Sequence, residues 1–273
     1  MGRVMNEGSQ WQLDRDAAQL YERHVLRYIL GPWVPRLLDA VRLQAGEIVL
    51  DVACGTGAVA RVASERVGAS GRVTGLDLNA GMLAVARSLP APPGAAITWI
   101  ERNALDTGLP DRSFDVVLCQ QGLQFFADRT GALREMHRVL VPRGRLAISV
   151  WRSIGVYNSA VGTALRRHIS VDAASRFCAS RDVPSDEELL RLAVAAGLQD
   201  VELHTQKMMV RLPPPREFVL CHLAATPVAS DVEAASDAVR VALGCDVARQ
   251  LSEFNEGESV AFFEEVNVVT ASA

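Results

Sequence analysis

No run in these 273 residues is apolar for long enough to cross a bilayer, which argues against a helical membrane protein. The first ten residues, Met1 to Gln10, hold no apolar core of a secretory leader, and Asn6 stands where an acylation signal beginning at Gly2 needs Ser or Thr. A cytoplasmic chain is expected. Cysteine is sparse: Cys54, Cys119, Cys178, Cys221 and Cys245 are scattered without a C-x-x-C pair. Neither a disulfide framework nor a metal site is therefore expected, and most of the five should be small buried hydrophobes. Positive charge is not in excess, with 28 Lys and Arg against 32 Asp and Glu for a net charge of -4, which argues against a nucleic-acid partner. Internal repeats and low-complexity runs are missing too, so a solenoid is excluded. With 49% hydrophobic and 22% charged residues, what is left is a globular chain able to bury a large core.

The most informative stretch is residues 48–60. An apolar strand, 48–52, runs into a turn built on Gly55 and Gly57 and then into a helix starting near Ala58. Two glycines at that spacing let the backbone turn at positive φ and let a ligand approach the main chain, with amides of the helix N-terminus facing it. Gly55-Thr-Gly57-Ala-Val-Ala60 also satisfies the G-x-G-x-x-A dinucleotide fingerprint, so the loop alone leaves the cofactor open.

The rest of the chain alternates strands and helices. Apolar residues spaced three and four apart predict an amphipathic helix over 12–30, broken by Gly31-Pro32, and a short one over 35–41. Further strands are predicted at 72–77, 96–100, 114–120, 145–151, 201–212 and 259–270, with helices over 58–67, 80–87 and 130–140 and a turn at Pro142-Arg-Gly144. The segment 153–181 reads as inserted helix, Ser185 caps a helix that Gly197 ends, and 216–253 reads as two helices. The fold class is α/β: a Rossmann-like, doubly wound, mainly parallel seven-stranded sheet with helical cap insertions. No linker divides it, so 1–273 is expected to be a single domain, with 1–43 a helical lid, 44–151 the cofactor core and 152–273 sheet completion plus cap. Asp77 ends the second strand twenty residues past Gly57, where a neighbouring parallel strand sets an acid beside a ribose, while Asn79 is placed to cap the next helix.

Four blocks then carry a resemblance: Val49-Leu-Asp-Val-Ala-Cys-Gly-Thr-Gly57, Val73-Thr-Gly-Leu-Asp-Leu-Asn-Ala-Gly-Met-Leu83, Leu109-Pro-Asp-Arg-Ser-Phe-Asp-Val-Val117 and Glu135-Met-His-Arg-Val-Leu-Val-Pro-Arg-Gly-Arg145. In this order they resemble the class I S-adenosylmethionine-dependent methyltransferases, in particular the branch similar to the ubiquinone and menaquinone methyltransferases. The resemblance covers roughly residues 45–151. It implies S-adenosylmethionine as cofactor, with Asp51, Ala53, Gly55 and Gly57 along its methionine portion and Asp77 on the ribose. Leu78 and Met82 would lie beside the adenosine, Asn103, Ala104 and Leu105 around the adenine, and Gln120 near the methionine end. Asn103 departs from the family, which commonly has Asp there, and Arg143 departs where Gly is usual. A carboxylate at Asp51 favours this cofactor over a dinucleotide, because it would repel a pyrophosphate but attract an ammonium and a sulfonium.

The donor in such chemistry is already activated, so the protein mainly aligns an acceptor and excludes water, and a general base is optional. Candidate acceptor-side residues are Tyr21, His24, Trp33, Gln121, Phe125 and Trp151, with no catalytic base named. Apolar residues of the cap, including Phe218, Leu220, Leu223, Val239 and Leu243, are expected to line a hydrophobic pocket for a small molecule. The expected activity is methyl transfer to an O or C acceptor on an apolar metabolite. A nicotinamide-dependent oxidoreductase and a non-catalytic S-adenosylmethionine binder remain the alternatives, and the oligomeric state is not read from the sequence.

Overall fold

The computed structural model describes residues 12–273, so the expectations for Met1 to Gln10, and the first part of the lid, lie outside the described residues. One sheet holds β1 (Ile48–Val52), β2 (Arg72–Asp77), β3 (Ile97–Glu101), β4 (Phe114–Gln120), β5 (Leu140–Trp151), β6 (Gln199–Leu212), β7 (Asn255–Glu256) and β8 (Ser259–Ser272). Seven of them follow the order β3-β2-β1-β4-β5-β8-β6, and the two-residue β7 pairs with β8 outside that path. β1 to β5 are parallel neighbours, and β8 enters antiparallel between β5 and β6. The helices are α1 (Arg15–Leu20), α2 (Val34–Val41), α3 (Ala58–Val67), α4 (Ala80–Ser88), α5 (Arg129–Val139), α6 (Val156–His168), α7 (Val171–Cys178), α8 (Asp186–Ala195), α9 (Pro215–Leu223), α10 (Ala229–Glu233) and α11 (Asp237–Gln250). Among the described residues no helix is long and apolar enough to cross a membrane.

The strands are apolar on both sides because helices cover both faces of the sheet. Successive residues feed opposite layers: Val49, Val73, Val116 and Leu118 pack with α2, α3 and the cap helices, whereas Leu50, Leu76, Val117 and Cys119 pack with α5 and α8. Caps follow the sequence signals, since Asn79 Oδ1 accepts from the Met82 amide at 3.0 Å and Ser185 Oγ from the Glu188 amide at 3.2 Å.

Several expectations need correction. The N-terminal amphipathic stretch is α-helical only to Leu20 and continues as a π-helix over Tyr21–Leu30. Gly31 closes it with an N–H to the Leu26 carbonyl, five residues back, at a spot where a Cβ would crowd that oxygen. The expected turn at Pro142-Arg-Gly144 stays in the sheet: Arg143 donates to the Ala273 carbonyl and Ala273 to the Gly144 carbonyl, so β5 begins at Leu140. Arg143 meets this geometry with φ of 66°, the left-handed region that favours glycine. The 216–253 stretch forms three helices rather than two. Only Cys54 and Cys119 are buried, the other three thiols being half-buried or exposed, and all five are free.

Strand order reverses between β1 and β4, and the connections leaving their carboxyl ends diverge to form a crevice. The loops pack tightly across it, because a Cβ on Gly122 would collide with the Ala53 side chain and Cys119 Sγ.

Candidate functional site

The carboxyl ends of β1 to β5 open into one cavity of about 230 Å³. Its wall carries Ala53, Gly55, Asp77, Leu78, Met82, Asn103, Ala104 and Leu105 from the β1–β3 side and Gln120, Gln121, Phe125 and Trp151 from the β4–β5 side, with Tyr21 from the π-helix also on it. A second, smaller cavity of about 30 Å³ adjoins it, sharing Tyr21, Leu30, Ala53 and Gln120 and adding Asp51, Cys54 and Thr56.

The loop after β1 is shaped by its left-handed residues. Ala53, Gly55 and Gly57 have φ of 56°, 55° and 90°, and the non-glycine Gln121 after β4 has 54°. Such conformations cost about 1–3 kcal/mol each at a side-chain-bearing residue and persist where the surroundings enforce them. Here the Cys54 amide donates to Leu76 O at 3.0 Å and the Gln121 amide to Ser149 O at 2.9 Å. Asp77 ties the loop to β2: its Oδ2 accepts from the Gly55 amide at 2.7 Å and its Oδ1 from the Asn79 amide at 2.8 Å. A carboxylate has about four lone-pair sites, so both oxygens retain capacity for a ligand hydroxyl.

Asp51 is 1% exposed. Its Oδ2 accepts from the Ala60 amide at 3.0 Å, and its Oδ1 has no partner; Thr56 Oγ1 and Gln120 Oε1 are buried and equally unpartnered. All three residues border the small cavity. Burial pushes the Asp51 carboxyl well above the usual carboxylate range, opposed by the Ala60 amide and reinforced by Asp77. Asp77 is raised as well, chiefly by burial. Three orphaned acceptors around a space the size of a small polar group fit an ammonium, which donates three hydrogen bonds and favours the charged carboxylate. Leu78, Leu105 and Phe125, apolar yet 39%, 37% and 38% exposed, gather at the mouth of the large cavity.

Not every expected residue reaches the walls. Gly57 faces away: a Cβ there would run into the Trp99 ring, so this glycine serves the turn and the seating of Trp99. Trp33 is 2% exposed in the core, edge-on to Trp151 at 6.2 Å, and His24 borders neither cavity. Asn103 Oδ1 accepts from the Leu105 amide at 2.9 Å, so the oxygen expected at the adenine already holds its own turn. The cap's apolar residues do not line the cavity either; Phe218, Leu223 and Leu243 are buried in the core. The cap instead contributes Asn158, Ser180, Arg181 and His222 to the wall. Helical period marks none of these four as special, because their convergence depends on how α6, α7 and α9 pack.

Comparison with known proteins bears on the family and the fold. The family model described as a methyltransferase domain matches residues 50–148. The 2-phytyl-1,4-beta-naphthoquinone methyltransferase of Arabidopsis thaliana is 33% identical over 59% of this chain and 62% of its own length. The ubiquinone/menaquinone biosynthesis C-methyltransferase UbiE of Hahella chejuensis is 36% identical over 61% of this chain and 72% of its own length. The chain thus spans less than two thirds of the plant relative. Among solved structures, phosphoethanolamine N-methyltransferase 2 of Haemonchus contortus, bound to S-adenosylhomocysteine, superposes with a TM-score of 0.58 at 19% identity, covering 93% of this chain and 56% of that one. At that identity the likeness shows the fold.

Proposed function

Because this chain belongs to the class I S-adenosylmethionine-dependent methyltransferases, we propose that it moves a methyl group to an oxygen or carbon of an apolar, quinol-like small molecule. The carrying observation is the trio of unpartnered buried acceptors, Asp51 Oδ1, Thr56 Oγ1 and Gln120 Oε1, set beside the larger cavity. Asp51, Thr56 and Gln120 would hold the cofactor's ammonium and Asp77 its ribose hydroxyls. Leu78, Met82, Ala104 and Leu105 supply the apolar surround for the adenine. Bound S-adenosylmethionine supplies a sulfonium-activated methyl group.

The protein's share of the work is alignment and exclusion of water. Tyr21, Val25, Ile29 and Leu30 from the π-helix close one side of the cavity, and Phe125 and Trp151 flank its acceptor end. Residues 12–43, the described part of the expected lid, close over the cavity in this arrangement. The substrate class is supported by the relatives, whose names specify a naphthoquinone methyltransferase and a C-methyltransferase of ubiquinone/menaquinone biosynthesis. The free thiols suit a reducing compartment such as the cytoplasm. The dinucleotide reading of the glycine loop finds no support: the relatives are methyltransferases, and Asp51 would repel a pyrophosphate. Calorimetric titration tests the cofactor assignment, with saturable heat expected from S-adenosylhomocysteine and none from NADH. The reverse pattern would overturn it.

A further inference from the structure

The acceptor end of the cavity has an unusual balance of hydrogen-bonding groups. Tyr157 on α6 is 1% exposed, and its hydroxyl lies 3.0 Å from His222 Nδ1. Among the described residues that nitrogen is the hydroxyl's one acceptor, so Tyr157 donates and Nδ1 accepts. A neutral imidazole carries a single N–H, which must then sit on Nε2. Burial, the Arg181 charge and His24 hold His222 down to about 3, so the ring is neutral. Stacking on Tyr157 at 5.5 Å and edge-on contact with Phe177 at 5.5 Å fix its plane. His222 borders the cavity and Tyr157 does not, which leaves Nε2–H as the ring group turned to the ligand.

Arg181 sits beside it, 7% exposed, with its guanidinium 3.6 Å above the Trp151 ring. It donates to Glu264 at 3.1 Å, to Ser153 O at 3.4 Å and to Asn158 Oδ1 at 3.4 Å. These contacts lock the guanidinium without using all five of its N–H groups. Glu264 lies behind it, away from the cavity wall. Gln121, also on the wall, has neither end of its amide partnered. No carboxylate and no thiol borders this end of the cavity, and the unpartnered oxygens there belong to the neutral amides of Gln121 and Gln124, so it offers fixed donors at His222 and Arg181 and no base.

From this we infer that the acceptor is bound as an oxyanion, the conjugate base of a phenol or hydroquinone, held by His222 Nε2–H and the Arg181 guanidinium. The inference rests on the methyl-transfer function proposed above and names the ionisation state of the acceptor. The hydroxyl proton goes to solvent before the step. The oxyanion's electron pair, from oxygen or relayed through the ring to a carbon, forms the new bond to the methyl carbon, while the carbon–sulfur pair stays with sulfur. If carbon is the acceptor, its ring hydrogen then leaves as a proton to water. Two donors fixed in a cavity of low dielectric suit this role, a neutral imidazole included.

The test uses 4-nitrophenol, whose neutral and ionised forms differ in absorbance, at a pH where half is ionised in solution. It is titrated with the full chain, with and without S-adenosylhomocysteine. The bound probe is expected as phenolate, with about a tenfold preference over the phenol, the scale of one charge-assisted bond. Two paired variants keep the packing: His222→Phe with Tyr157→Phe, and Arg181→Gln with Glu264→Gln. Each should lose that preference while S-adenosylhomocysteine affinity stays within about twofold, since neither pair lies at the Asp51 and Asp77 end. Neutral bound probe, no saturable binding of the phenolate, or an undiminished preference in both variants would overturn the inference. Failure of S-adenosylhomocysteine to bind the wild type would instead count against the methyl-transfer function, which separates the two.

Discussion

At Asp51 one carboxylate oxygen is bonded to the Ala60 amide and the other is buried with no protein partner, an arrangement that costs the ligand-free chain stability. Because burial raises its pKa, the folded chain binds a proton there more tightly than the unfolded chain. Ligand-free stability from this group therefore falls as pH rises above the unfolded carboxylate range. Asp51→Asn keeps an oxygen for Ala60 and removes the charge. Thermal denaturation near neutral pH should show a gain of about 1 kcal/mol, roughly 2–4 °C for a chain of this size. Calorimetry should show cofactor affinity down by at least about tenfold, the scale of a lost charge-assisted bond. Over the pH range in which the raised Asp51 carboxyl titrates, binding to the wild type should release a proton and affinity should rise with pH, and the variant should show neither; equal pH dependence in both would contradict the ammonium assignment. Arg143 offers a second case. Its φ of 66° costs an L-residue about 1–2 kcal/mol, whereas glycine's extra chain entropy costs about 0.5–1 kcal/mol, so Arg143→Gly should stabilise by roughly 0.5–1 kcal/mol in denaturant unfolding without altering turnover. The positions of Asp51 and Asp77 at strand ends were legible because strand, glycine turn and spacing are local patterns. Arg181 and His222 were not, since their meeting depends on the packing of three cap helices.

The N-terminal strap shows where pattern stops short of geometry. Apolar spacing announced a helix over 12–30, yet periods near four do not distinguish an α-helix from the π-helix that Tyr21–Leu30 adopts. The π-winding sets Tyr21, Val25 and Ile29 on the cavity side, and Gln120 Nε2 donates to Leu30 O at 2.8 Å, anchoring the strap to the end of β4. Its other anchor is on α4, where the Gly81 backbone meets Leu13 O and Asp14 closely enough that a Cβ would collide. Gly81→Ala should therefore lift the strap while gaining helix propensity in α4. Cofactor affinity and turnover should fall together by about tenfold, the effect of misplacing a positioning element, while the sheet core stays folded by circular dichroism. Unchanged kinetics would leave the strap a packing element with no role as a lid. The C-terminal strands were harder to read than the first four. β8 places its antiparallel register between β5 and β6, and it also draws Pro142 to Gly144 into the sheet through the last residue of the chain. A local reading of that tripeptide sees only a turn.

Across the whole molecule the two ends of the cavity divide the chemistry. In the arrangement proposed above, β1, β2, β3 and the last residue of β4 build the cofactor end with acids and unpartnered acceptors, and the loops after β4 and β5 and the cap build the acceptor end, where His222 and Arg181 are the donors. A cationic donor and an anionic acceptor would thus meet in one cavity where their charges offset. The doubly wound sheet was legible because four motif blocks and an alternation of strands and helices fix its parallel half. The polarity of the acceptor chamber was not, because apolar cap residues such as Phe218 and Leu243 went to the core and left the wall to polar ones. The most direct test is transfer of isotopic label from methyl-labelled S-adenosylmethionine to 1,4-naphthohydroquinone, followed by mass spectrometry of the product. Label on a ring carbon or phenolic oxygen, lost in Asp51→Asn, is the predicted result. Saturable S-adenosylhomocysteine binding with no labelled product from any phenol or hydroquinone would contradict it and leave a protein that binds the cofactor without moving the methyl.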